Sequence, residues 1–310
     1  MSVYILRRLF YTIPVLFGVA LLTFFLFTVF GEDPVRQALG NHASEQSILA
    51  LRHKWGLDKS LFHQFYDFLI QIITFNYGES FSTGEKLSEI FRQGVFVSLL
   101  LTVPPFVVGT FLNISIALLI SYYRGRILDK ISTFLFVVSM SVSYLVYIIF
   151  FQYFLAYKLD LFPVQGFEMG AGVVTYLMLP WLIMMIVSMG PDIRLFRTIF
   201  LDQVKSDYIR TARAKGASEF RVLFVHLLKN AMVPIITNTV IAIPFLITGA
   251  FVMERYFSLP GIGDITITAI NEGDFPIIKA MTMMSAILYS FFNLATDVLY
   301  AMVDPRVKLS

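Results

Sequence analysis

Few residues in this chain could do covalent chemistry, and they are not spaced to do it. Cysteine is absent, which removes disulfides, thiolate metal sites and cysteine nucleophiles together. His42, His53, His63 and His226 show no i, i+4 pairing of the metalloprotease kind, so each reads as a solvated or capping residue and no metal is assigned. The acids are scattered through loops without a paired-carboxylate candidate, and there is no G-x-S-x-G elbow. No G-x-x-x-x-G-K-[ST] stretch occurs, and Gly261-Ile262-Gly263 completes neither a P-loop nor a dinucleotide fingerprint. Any ATP has to be bound by another chain.

What the chain does concentrate is positive charge on a short helix-forming stretch, Asp202–Pro234. Between Asp192 and Lys229 lie eight Lys/Arg (Arg194, Arg197, Lys205, Arg210, Arg213, Lys215, Arg221, Lys229) against four acids (Asp192, Asp202, Asp207, Glu219). Ser206 is placed to N-cap a helix over Asp207–Lys215, and Gly216 to end it in the left-handed conformation that glycine adopts without a Cβ penalty. Ser218 then caps a second helix, whose Phe220, Leu223, Phe224, Leu227, Leu228 and Ala231 recur at helical spacing as one apolar stripe. On the first helix Ala212 and Gly216 lie one turn apart, a bare patch suited to close approach by a partner rather than to core packing. The chemistry expected here is docking.

The elements around this stretch are apolar. At 57% hydrophobic and 15% charged residues, with mean hydropathy +0.74, the chain is far from a soluble domain, where about a quarter of residues are charged. The expected class is an all-α integral membrane protein. A hydrocarbon core of about 30 Å needs about 20 apolar residues, and six stretches qualify: Leu9–Phe30, Val95–Tyr122, Ile131–Tyr157, Val173–Met189, Ala231–Met253 and Ile277–Val303. The first is longer than a signal-peptide apolar region and lacks a small-x-small cleavage site, so it reads as a retained span. Arg7 and Arg8, then Arg124, Arg126 and Lys130, then the 192–229 loop, then Arg306 and Lys308 all fall on one side, which puts both termini in the cytoplasm. The net charge of +3 is read as topology, with no nucleic-acid motif visible.

The expected organisation is an N-terminus and first span over 1–30, an outer segment over 31–92 and a five-span core over 93–310 that carries the basic loop at 192–230. The outer segment is too rich in capping and turn signals for a slack linker, and Ser44–Lys54 and Ser60–Thr74 read as helices. The second of these carries an apolar stripe meant for the membrane surface or for neighbouring helices. Pro14, Pro104-Pro105, Pro180, Pro234 and Pro244 interrupt spans and should kink them. Polar residues within spans are few: Asn113, Gln152, Asn238, Asn293 and Asp297. Helix–helix hydrogen bonding accounts for most of them, with Asn293 and Asp297 kept as packing or pathway candidates because an intramembrane carboxylate is functional by default.

Tyr208-Ile209-Arg210-Thr211-Ala212-Arg213-Ala214-Lys215-Gly216-Ala217-Ser218 resembles the cytoplasmic EAA loop of ABC importer permeases, in the form of the oligopeptide/dipeptide/nickel branch. The likeness continues in Tyr4-Ile5-Leu6-Arg7-Arg8-Leu9, Gly56-Leu57-Asp58, Gly78-Glu79-Ser80, Phe257-Ser258-Leu259-Pro260-Gly261-Ile262-Gly263 and Asp304-Pro305-Arg306. Arg210 and Thr211 depart from the general pattern, which has Glu and Ala there. The long outer loop is similar to that of the B-type subunit. The resemblance implies a type I importer fold and an assembly with a C-type permease, two cytoplasmic ATPases that hold ATP and magnesium, and an external peptide-binding protein, all in a prokaryotic inner membrane. It implies no cofactor in this chain. It also implies ATPase coupling through Tyr208, Arg210, Thr211, Ala212, Arg213, Lys215, Gly216 and Ser218, with Ala212 and Gly216 in close approach to a groove and Arg210, Arg213 and Lys215 facing its acids. Nickel in place of peptide stays open, as does an ion-gradient-driven transporter or channel, though the latter would call for more midplane charge than Asp297 alone. A membrane enzyme lacks any catalytic constellation.

Overall fold

A computed structural model describes residues 2–303, except residues 32, 41–42, 171 and 249. The described residues form helices joined by turns and loops, with no strand beyond one isolated bridge between Glu79 and Lys86. Among the described residues five helices are long and apolar enough to cross a bilayer, and a sixth span exists if one bent pair is counted as a single crossing.

The first crossing is α1, Ser2–Thr28, which runs through Pro14 and packs against the last, α14, Phe275–Val303. The outer segment contains α2 (Pro34–Leu39), α3 (Glu45–Lys54) and α4 (Leu61–Thr74). Ser44 and Ser60 cap α3 and α4 by accepting from the Ser47 and His63 amides, as their position one residue before each helix dictates. The segment is tied down by Asp274, almost fully buried, which accepts from the Phe81 and Ser82 amides and from the Ser80 and Ser82 hydroxyls.

Next comes α5, Leu87–Tyr122, whose 36 residues exceed a bilayer's thickness. Both of its internal prolines lie within continuous helix. The expected third span, Ile131–Tyr157, is instead two helices meeting at 93°: α6, Ile127–Met140, and α7, Tyr144–Phe151, which continues in π-helical turns to Lys158. No proline causes this bend. Ser143 takes an extended conformation ahead of α7, and the Tyr147 hydroxyl donates to the Ser139 carbonyl across the elbow at 3.0 Å.

The fourth span also departs from expectation. It does not stop at Met189 but runs on as α8, Val173–Val204, through Pro191 and Asp192. Asp192 does not break the helix because its carboxylate accepts from the Asn113 amide at 3.0 Å. Beyond it Ile193, Phe196 and Phe200 are buried at i, i+3 and i+7, so the extension is an amphipathic stalk. Then follow α9 (Asp207–Ala214) and the short α10 (Glu219–Arg221), which leads through π-helical turns at Val222–Leu227 into α11, Leu228–Thr248. The fifth span therefore ends at Thr248 rather than Met253, and Phe251–Met253 belongs to a separate outer helix, α12, Phe251–Phe257.

α12 and α13 (Ile262–Glu272) form a folded outer connection to α14. Its centre is Glu254, fully buried, which accepts from the Ala250, Gly263 and Asp264 amides and from the Ser98 hydroxyl of α5. Ser98 in turn accepts from the Ile262 amide at 2.8 Å. Burial pushes the Glu254 carboxyl up from the usual carboxylate range while these hydrogen bonds pull against it. This joint explains the glycines of the 257–263 stretch. A Cβ on Gly261 would collide with the Glu254 carboxyl, and one on Gly263 would lie 2.6 Å from the Phe251 Cα.

Candidate functional site

The basic stretch is seated on one end of the bundle by an apolar cluster. Ala117, Leu118 and Ile120 of α5 and Ile193, Phe196 and Phe200 of α8 enclose Ile209 and Ala212 of α9 together with Val222, Leu223 and Leu227 of the π-helical turns. Asp129 braces the same end. It is buried at the start of α6, pairs with Arg197 of α8 at 2.7 Å and accepts from the Gly125 amide at 2.9 Å. A carboxylate removed from water in this way needs such partners. Sequence reasoning counted Arg197 among the basic residues of the 192–229 loop and missed Asp129. The only signal was an acid in the first turn of a helix beside a basic loop.

The turn between α9 and α10 has the expected chemistry. Gly216 has φ +76°, its amide donates to the Arg213 carbonyl, and the Ala217 amide donates to the Ala212 carbonyl, the paired bonds of a Schellman ending. No atom lies within 4 Å of where a Gly216 side chain would begin. Ser218 accepts from the Arg221 amide as the cap of α10. Ser206 occupies the N-cap position of α9, but its hydroxyl makes no capping bond.

Arg210, Thr211, Arg213, Lys215, Gly216 and Ser218 are all exposed on one knob. Arg213 is already engaged with Glu219, Nε to Oε1 at 2.8 Å and Nη2 to Oε2 at 3.1 Å. Arg210 comes no closer than 3.8 Å to the Asp207 carboxylate, and the Thr211 hydroxyl returns to the Asp207 carbonyl at 2.9 Å. Tyr208 is half-buried and donates to Gln203 at 2.7 Å, and burial raises its hydroxyl above the ordinary tyrosine range.

Two sequence expectations fail here. Ala212 is buried in the cluster and presents no bare patch, because Ile209 and Ala212 are the inward face of α9. The stripe on the second helix is also re-phased. The π-helical turns at Val222–Leu227 insert extra residues per turn, so Val222, Leu223, Leu227 and Ala231 face inward while Phe220 and Phe224 come out. Those two rings stack on each other with centroids 4.3 Å apart, on the exposed side of the knob. The result is a rigid platform with a cationic, partly aromatic surface.

The intramembrane candidates resolve differently. Asp297 of α14 lies 2.8 Å from Arg8 of α1, an ion pair between the first and last spans. Asn293 is exposed on the chain's own surface. Asn113 donates to Ser188 and Asp192 while its own Oδ1 accepts from no group, Gln152 donates to the Val164 and Tyr256 carbonyls, and Asn238 to the Pro234 carbonyl.

Comparison with known proteins places this geometry in context. Residues 113–309 match the family model described as binding-protein-dependent transport system inner membrane component, and residues 1–90 match the N-terminal model of the same kind of system. The chain is 33% identical to the probable peptide ABC transporter permease protein y4tP of Sinorhizobium fredii, covering 99% of this chain and all of that one. It is 33% identical to the dipeptide transport system permease protein DppB of Lactococcus lactis, covering 99% of each. It is also 29% identical to the glutathione transport system permease protein GsiC of Escherichia coli, over 98% of each.

Proposed function

The chain belongs to the family of binding-protein-dependent transport system inner membrane components, and from that premise we propose that it is the B-type permease subunit of an ATP-driven importer of dipeptides or oligopeptides. The single observation that carries the coupling role is the knob at 207–224. It is held rigidly from beneath by the α5 and α8 ends while its outer surface offers Arg210, Lys215, Phe220 and Phe224 to a partner. Movement of a docked ATPase would be transmitted through Ile209, Ala212 and the α8 stalk to the spans without slack, since packed interiors move as units. The exposed guanidinium and ammonium suit acidic groups on the partner, and the stacked rings suit an apolar socket.

In this reading the partners are a C-type permease that shares the pathway, two ATPases that carry ATP and magnesium, and an external binding protein that delivers the solute. The names of the relatives support peptides over nickel. In the described spans Asp297 lies against Arg8 and Asp192 is hydrogen-bonded by Asn113, which argues against ion coupling. The test is reconstitution of the chain with its partner subunits and measurement of ATP-dependent uptake of labelled dipeptide, longer peptide, glutathione and nickel. Uptake of a peptide only with ATP and the external protein is the expected result. Uptake driven by an ion gradient without ATP would overturn it.

A further inference from the structure

The outer segment leaves one helix with more apolar surface than the chain itself covers. Along α4, Gln64, Asp67 and Gln71 share one side and line a cavity of about 900 Å3 together with Thr28 and Lys279. Opposite them the helix is apolar over more than half its circumference. Part of that arc, formed by Phe65, Phe68, Leu69 and Ile72, packs with Ala20, Phe24 and Met283 of α1 and α14. The rest does not. Phe62, Tyr66 and Ile73 stand 76%, 55% and 76% exposed.

Two polar contacts between α1 and α14 set the depth at which this happens. Arg8 pairs with Asp297, and the Lys279 ammonium donates to the Thr28 hydroxyl at 2.8 Å. Thr28 lies 20 positions after Arg8 and Asp297 lies 18 after Lys279, so the two contacts are about 30 Å and about 27 Å apart along their helices, the thickness of a hydrocarbon core. Charged groups on spans are drawn toward the two interfaces, which makes Arg8 and Asp297 the inner boundary and Thr28 and Lys279 the outer one. Phe65 of α4 lies against Phe17 and Phe24, with ring centroids 5.9 and 5.2 Å away. Those residues sit about 16 and about 6 Å inside the outer boundary at 1.5 Å per residue. α4 thus keeps its polar side level with the boundary and its apolar side below it.

We propose that α4 is an interfacial helix seated in the outer leaflet, with Phe62, Tyr66 and Ile73 in contact with lipid acyl chains. The occupant is lipid because the uncovered face continues the exposed apolar surface of α1 at the same depth, where Phe17, Leu22 and Phe25 are exposed. A helix with a narrow polar stripe and a broad apolar face lies in this plane on physical grounds. The bilayer then anchors the outer segment, and α2, α3 and the 76–86 turn remain its water-facing part. The inference depends on the membrane depth of α1 and α14 and is independent of which solute is carried.

The cysteine-free sequence allows a direct test. Single cysteines replace Phe62 or Ile73 in the assembled transporter in phospholipid vesicles, carry a spin label, and are compared with a lipid-facing label at Leu22 and an aqueous label at Glu45. The α4 labels should follow Leu22, colliding readily with oxygen and poorly with a water-soluble nickel chelate. Behaviour like Glu45 would overturn the proposal, and so would protection from both reagents, which would mean that a protein partner covers the face. Phe62→Trp, read against the two native tryptophans, gives an independent measure. Lipids brominated along the acyl chain should quench it, and an unquenched signal would count against lipid contact.

Discussion

At the scale of single residues, the same amino acid is required for opposite reasons at the two ends of the molecule. Gly216 needs its φ of +76° and has open space around it, so Gly216→Ala should cost only about 1 kcal/mol of left-handed strain. Gly261 sits in extended backbone and needs the missing volume, because a methyl there would enter the Glu254 carboxyl. Gly216→Ala should therefore reach normal membrane abundance, and Gly261→Ala should be lost or aggregate on detergent extraction. Gly216→Leu should assemble in the membrane yet fail to retain the ATPases. Glu254 gives a second prediction at this scale. All four of its acceptor positions are filled by donors, so Glu254→Gln points amide hydrogens at amide hydrogens and leaves buried N–H groups unpaired at about 1–3 kcal/mol each. A clearly lowered thermal unfolding midpoint for Glu254→Gln in detergent is expected. An unchanged midpoint would mean that this joint is not what holds the outer connection.

At the scale of elements, the eight-residue helix α9 is held by two inward side chains, Ile209 and Ala212. Ile209→Ala removes the larger one, at about 2–5 kcal/mol for a buried isoleucine truncation. That exceeds what an isolated helix of this length can supply for itself. The spans do not depend on it, so membrane abundance should hold while α9 comes loose from the stalk. ATPase activity measured in vesicles should then no longer respond to peptide-loaded binding protein. Retained stimulation would show that force passes through the π-helical turns instead. The same element shows why part of the site escaped sequence reading. Spacing located the helix, its glycine ending and the cap at Ser218, all of which are local. Which side of α9 faces inward depends on Phe196 and Phe200, residues of a stalk that lies beyond the apolar stretch Val173–Met189.

At the scale of the whole molecule, the placement of charge makes a topological prediction. A cysteine at Glu45 should react with an impermeant thiol reagent added outside intact cells, and one at Lys215 should react only after the membrane is opened. The reverse pattern would invert the protein and detach the knob from any cytoplasmic ATPase. The pairing of Arg8 with Asp297 belongs to this scale as well, since it closes the first span against the last. A carboxylate that the sequence leaves open between packing and pathway lies against Arg8 once α1 and α14 are side by side.

Composition and hydropathy alone determined that this is a helical membrane protein with up to six crossings. Local residue chemistry determined most helix starts in the outer segment and the glycine turn of the knob, because capping and left-handed backbone depend on neighbours within four residues. The tertiary structure decided what periodicity along one segment leaves open. Asn113 carries α8 past Asp192, the Ser139–Tyr147 contact closes a sharp bend that no proline marks, and the π-helical turns bring Phe220 and Phe224 to the surface. Glu254 turns an unremarkable acid and two glycines into the joint of the outer face. Asn113–Asp192 and Ser98–Glu254 join segments 79 and 156 positions apart, and the bend and the π-helical turns break the helical phase itself, neither of which periodicity along a single segment encodes.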